Sequence, residues 1–252
     1  MRHSLLSFSF VLTALFTLAA CAPQNLPEQE QVVVSTIPPL PTSTPISEKT
    51  TPSESASGLT AGTNSYAVYG FSQPVTASGN VLVLTGRVLN VNGDPVEGAA
   101  VEIWQTDANG IYDHPGDSST ASRDMGFQFY GTSVVDPDGN YAFRTLRPGK
   151  YEPRPPHIHV KVRVNGAVVL TTQLYFSDTG NAGGLGAGAD QLLLTLEDDP
   201  YGGDFHVGSF DFVVDTGIGS GALPLTPSQA EGPYYPVVNV AEYDQDLASV
   251  GE

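Results

Sequence analysis

The 252-residue chain carries 27 acidic against 10 basic side chains, a formal charge of −17, and it contains a single cysteine. Such acidity weighs against nucleic acid or anionic lipid as a partner of the folded part, and one cysteine excludes an internal disulfide. After Arg163 there is no Lys or Arg, so the cations of the folded region all lie between Arg87 and Arg163, the stretch that would draw an anionic substrate.

The chain opens with a short basic head, Met1 to His3, and an apolar block from Leu5 to Ala20. This is the pattern of an export signal over residues 1–20. The run Leu18-Ala19-Ala20-Cys21 is similar to a bacterial lipobox, which implies lipidation of Cys21 and anchoring at the cell surface or a periplasm-facing membrane; the alternative is a plain secretory signal that ends near a cysteine. Several acyl chains hold a protein stably where one is marginal. Residues 21–64 are rich in Pro, Ser, Thr, Glu and Gln with few large apolar side chains. Such a composition does not offset the entropy of ordering, so a disordered tether is expected.

Residues 65–252 are long enough for one domain with its own core. Here short runs of alternating apolar and polar residues are divided by Gly, Pro, Asn and Asp, and helical periodicity is sparse. Strands are predicted at Val81 to Val91, Ala100 to Trp104, Gly126 to Val134, Asn140 to Thr145, Pro156 to Val164, Val168 to Phe176, Gln191 to Leu196 and Phe205 to Val214. Turns fall at Asn92 to Pro95, Asp107 to Gly110 and Asp136 to Gly139, and Gly180 to Gly188 reads as a mobile glycine-rich loop. The expected fold is all-β, an antiparallel β-sandwich of transthyretin-like (prealbumin-like) type with long loops and little helix.

The segment Lys150 to Val162 concentrates the chemistry. Alternation along a strand puts His157 and His159 on one face and Ile158, Val160, Val162 and Val164 on the other. Pro155 and Pro156 forbid helix just before the pair. A His-x-His alone is shared by metal sites and ordinary strands. With Tyr112 and Tyr151 it gives four candidate ligands, and phenolates at neutral pH require a strong Lewis acid, for which Fe(III) is the common biological choice. Zinc sites draw instead on Cys, His and carboxylate. Taken singly, each residue also has a plain structural reading: half-buried tyrosines, an Arg154 paired with Glu152, and a surface Gln173.

The segments EIWQTDANGIYDH, DPDGNYAFRTLRPGKY, RPPHIHVKV and TTQLYF, in that order between Val81 and Phe176, resemble the intradiol ring-cleavage dioxygenases, the family of catechol and protocatechuate 3,4-dioxygenases. The resemblance implies Fe(3+) held by Tyr112, Tyr151, His157 and His159, with no nicotinamide or flavin. It implies further that Arg154 stabilises charge on the bound ring, that Gln173 orients groups behind it, and that Tyr151 is the phenol that substrate displaces. The implied partners are a small catechol and O2, the implied product a cis,cis-muconate-type diacid. His114 and His206 fall outside the pattern, and His114 is the expected pocket neighbour.

Two features depart from the family pattern. Only five residues separate Tyr151 from His157, and there is no long helical N-terminal region, which leaves oligomeric state open. The segment Leu225 to Pro236, LTPSQAEGPYYP, resembles one that commonly precedes the domain in the family but here follows it. The expectation is that the tail, 220–252, packs back on the domain with Tyr234 or Tyr235 near the site. Against the enzyme reading stands a non-catalytic β-sandwich that binds or spaces at the cell surface.

Overall fold

The computed structural model describes residues 65–179 and 185–251. The expected signal, Cys21 anchor and tether, and the first part of the glycine-rich loop, 180–184, lie outside the described residues. Among the described residues there are ten strands: β1 (Val81–Asn90), β2 (Ala100–Trp104), β3 (Tyr130–Val134), β4 (Asn140–Leu146), β5 (His157–Val164), β6 (Ala167–Phe176), β7 (Leu193–Leu194), β8 (Leu196–Asp198), β9 (His206–Ser209) and β10 (Phe212–Val214). Among the described residues the only helical pieces are short 3-10 turns, and no helix is long and apolar enough to cross a membrane.

The strands form two five-stranded sheets. One contains β10, β1, β9 and β8 in that order with β4 also on β1, and the other runs β3-β2-β5-β6-β7. Leu82, Leu84, Val88 and Phe143 of the first sheet share one buried cluster with Val101, Ile103, Ile158, Val160, Val162 and Leu174 of the second. The apolar half of each alternating run therefore meets the other sheet, which is the burial that period-2 patterning demands.

Four expectations need correction. The sheets are mixed rather than antiparallel, because β9 and β10 run parallel to β1 and β7 runs parallel to β6. Alternation encodes which face is buried but not strand direction, and the long return through residues 177–205 brings the chain back to β1 in the same sense. The strand expected from Gly126 begins only at Tyr130, since Gly126 N–H donates to Asp124 and Gln128 N–H donates to the carbonyl of Leu247 in the tail, at 2.8 Å each. The run from Gln191 to Leu196 divides into a 3-10 turn and two short strands, and that from Phe205 to Val214 breaks at Phe210. There Gly86 lies so close to the Phe210 carbonyl that a Cβ on it would come within 1.8 Å of the oxygen.

Candidate metal centre

The register of the second sheet assembles one half of the site. His159 pairs with Trp104 on β2 and with Gln173 on β6, and His157 pairs with Tyr175. Directly opposed residues in an antiparallel pair share a face, so all five side chains project from the side of the sheet away from the shared core. Both imidazoles are buried nonetheless, at 4% and 3% exposure. Tyr112 lies over both rings, and the C-terminal segment reaches His159 at Gly232.

Loops supply the other half. Asp107 is fully buried, and its carboxylate accepts N–H groups of Asn109, Ile111 and Asp124, which shapes the turn that delivers Tyr112. Gly110 has φ +81° and packs against Lys150, where a Cβ would come within 2.2 Å of the carbonyl oxygen. Only glycine meets both conditions. Gly149 N–H donates to the Asp107 carbonyl at 2.8 Å, so the loop bearing Tyr112 and the loop bearing Tyr151 are fixed to each other. Asp117 then accepts the Tyr112 N–H at 2.8 Å.

These elements bring Tyr112, His157 and His159 to one point. The Tyr112 hydroxyl is 3.0 Å from Nε2 of His159 and 3.5 Å from Nε2 of His157, and the two Nε2 atoms are 3.0 Å apart. Nδ1 of His157 faces the Pro155 carbonyl at 2.7 Å. A carbonyl only accepts, so Nδ1 carries the proton and the lone pair of Nε2 points at the cluster. Tyr151 packs edge-on against Tyr112 with ring centroids 5.6 Å apart, and its hydroxyl shares a hydrogen bond of 3.0 Å with Tyr234.

Burial lowers the His157 pKa to about 4, and burial with the neighbouring His157 holds that of His159 well below its ordinary value. Both rings are therefore neutral at pH 7, the state in which imidazole ligates a metal. Burial also pushes the Tyr112 phenol well up, so without a cation it stays protonated. Three donor atoms crowded within 3.5 Å, two of them imidazole nitrogens, are what a bound cation would resolve. Among the described residues there is no group of three or more His, Cys, Asp or Glu suited to a metal. The donors here are imidazoles and phenols, a set that fits a hard, strongly acidic ion better than zinc.

Arg154 does not pair with Glu152, which instead meets Lys150 at the surface. Its Nη2 donates to Gln173 Oε1 at 2.6 Å and to the Tyr175 hydroxyl at 2.9 Å, while the buried Nε has no partner among the described residues. Gln173 in turn donates from Nε2 to the Ala230 carbonyl. Tyr175 was not among the residues predicted from sequence, although period 2 from Gln173 in TTQLYF already puts it on the same face. Gln173 is buried rather than a surface residue. His114 stands half-buried 5.4 Å from the Tyr234 ring, and His206 is exposed.

The tail crosses the same face of the sheet. Gln229 N–H donates to Thr171 on β6, Glu231 pairs with Lys161 on β5 at 2.6 Å, Tyr235 meets Trp104 edge-on at 4.9 Å, and Thr132 N–H on β3 donates to Tyr243. Tyr234 lies 4.8 Å from the Tyr112 ring. Glu231 to Tyr235 thus lies against the residues of the centre.

A family model described as Dioxygenase matches residues 68–216, a span that holds all the residues of the centre except those of the tail. The beta chain of protocatechuate 3,4-dioxygenase from Burkholderia cepacia is 40% identical over 106 residues, covering 39% of this chain and 45% of the relative. Catechol 1,2-dioxygenase from Candida albicans is 32% identical over 108 residues, covering 36% and 34%. The chain thus spans less than half the length of these curated relatives. Among solved structures, the dioxygenase domain of a dioxygenase and carbohydrate-binding fusion from Streptomyces sp. SirexAA-E is similar at 34% identity and a TM-score of 0.47, covering 56% of this chain and 82% of that one.

Proposed function

Because the chain belongs to the intradiol ring-cleavage dioxygenase family, we propose that it is a non-haem Fe(III) enzyme that cleaves a catechol-type ring with O2 to a cis,cis-muconate-type diacid. The observation that carries this reading is the approach of the Tyr112 hydroxyl and two histidine Nε2 atoms to within 3.5 Å of one another. In this reading Tyr112, Tyr151, His157 and His159 hold the ion. When bound, Fe(III) supplies Lewis acidity and a template that draws electron density from a chelated catechol.

The side chains have distinct tasks. Tyr112, His157 and His159 are buried and would hold the ion throughout, whereas half-buried Tyr151 would be the phenol that gives way to substrate and takes up a catechol proton at its oxygen. The Tyr234 hydroxyl at 3.0 Å gives it a partner once released. Arg154, held through Nη2 by Gln173 and Tyr175, keeps the buried Nε–H free for negative charge on the ring. A guanidinium remains charged where a lysine would titrate, and a fixed donor costs no reorganisation during reaction. Gln173 orients Arg154 through its own bond to Ala230.

Both oxygen atoms end in the product, so no reductant is required. Oxygen uptake by the iron-loaded protein with a panel of catechols, one O2 per ring and a diacid product, is the expected result. Iron-loaded protein that consumes no oxygen with any of them contradicts the reading. Cys21 is proposed to carry a lipid anchor that faces the enzyme away from the cytoplasm, motivated by Leu18-Ala19-Ala20-Cys21. Incorporation of labelled fatty acid should vanish in Cys21→Ser, and equal labelling of both forms would dismiss the anchor.

A further inference from the structure

The two imidazoles are oriented by different means. His157 has the Pro155 carbonyl on Nδ1 at 2.7 Å, but Nδ1 of His159 is buried without a hydrogen-bond partner among the described residues. A metal-ligating histidine ordinarily has its second nitrogen hydrogen-bonded, which fixes the ring plane. Packing replaces that bond here. The indole of Trp104 stacks on His159 at 4.7 Å with 9° between the planes. At the edge of the ring stands Gly232, where a Cβ would lie 3.0 Å from Cε1 and 3.7 Å from Nε2 of His159. Gly232 has φ +82°, a conformation that favours glycine, and an added Cβ would also press on the His159 ring.

The chain on either side holds Gly232 in place. Glu231 pairs with Lys161 at 2.6 Å, and the Lys161 ammonium sits 3.3 Å from the centroid of the Tyr235 ring. Lys161 lies two residues beyond His159 on the same strand face, with its side chain 8% exposed. The Ala230 carbonyl is bound by Gln173, the residue that also holds Arg154. None of this segment falls within the family match at 68–216.

We propose that Ala230 to Tyr235 is a positioning element of the metal centre, in which Gly232 closes the edge of the His159 ring against Trp104 and the Lys161–Glu231 pair is the latch that sets its distance. These are positioning residues, since none of them contacts the ion in the reading above, on which this inference rests. A tail that served stability alone would leave the metal's affinity and spectrum unchanged once the protein is folded.

The test uses the full chain with Gly232→Ala and, as a variant that leaves the backbone conformation free of strain, Glu231→Gln. Arg87→Gln, which removes an exposed pair with Asp211, is the control. Iron affinity is measured against a competing chelator, together with the visible charge-transfer band and melting of the iron-free protein. Loss of such supporting contacts costs about 10-fold or more in metal affinity. Gly232→Ala is expected to show that loss with a shifted band, and Glu231→Gln a smaller loss with iron-free melting unchanged; the control matches wild type. Wild-type affinity and band in both tail variants would overturn the inference. Wild-type protein that takes up no iron would instead overturn the iron reading itself, so the two failures are distinguishable.

Discussion

Strand β5 carries His157 and His159 on a backbone bonded to β2 on one side and β6 on the other, whereas Tyr112 and Tyr151 stand on loops shaped by Asp107, Asp117 and two glycines. The histidines inherit their spacing from the pleat, and only the plane of the His159 ring is left to Trp104 and the tail. The tyrosines depend on a few specific contacts, each of which a point substitution can remove. Precision at the first half comes from repetition of backbone bonds, and at the second from a small number of buried polar groups. The two halves should therefore respond differently to mutation.

The largest effect is expected for Asp107→Ala. It orphans three part-buried backbone N–H groups at once, each at the low end of the about 1–3 kcal/mol that an unpartnered donor costs. Urea unfolding should show a loss of about 3 kcal/mol or more, with the iron colour lost alongside. A variant with unchanged stability would mean that the loop is held by something else.

Gly110→Ala comes next. It forces a left-handed conformation on alanine and drives a Cβ toward the Lys150 carbonyl, so about 1–3 kcal/mol is expected, together with altered colour because both tyrosine loops shift. Unshifted colour at reduced stability would show that the loops do not set the ligands.

Tyr234→Phe is the mildest. It removes one hydroxyl from the Tyr151 pair, worth about 1 kcal/mol or less, so stability should barely move while the affinity for catechol changes. An unaltered KM would take Tyr234 out of the site.

The same contrast explains what was legible in the sequence. Alternation in HIHVKV and the apolar runs gave the strand edges to within a residue or so for β1, β2, β4, β5 and β6, and the imidazole face with them. Parallel pairing of β9 and β10 with β1 was not legible, because direction depends on a connection far along the chain. The Trp104 stack on His159 follows from register between β2 and β5, which EIW and HIH do not state separately. The role of Asp107 was hidden for a different reason: a turn aspartate reads the same whether its carboxylate is exposed or, as here, is buried and accepts three N–H groups. Tyr175 and Gln173 were one period apart in plain view, but only the bonds to Arg154 show why both matter.

The central claim is that Tyr112, Tyr151, His157 and His159 form one ferric centre. Its most direct test is the visible spectrum of the iron-reconstituted protein beside that of Tyr112→Phe. A red-brown tyrosinate-to-Fe(III) band in the wild type, clearly weakened in the variant with iron retained less tightly, is the predicted result. A colourless wild type after reconstitution, or a band of equal strength in Tyr112→Phe, would contradict it.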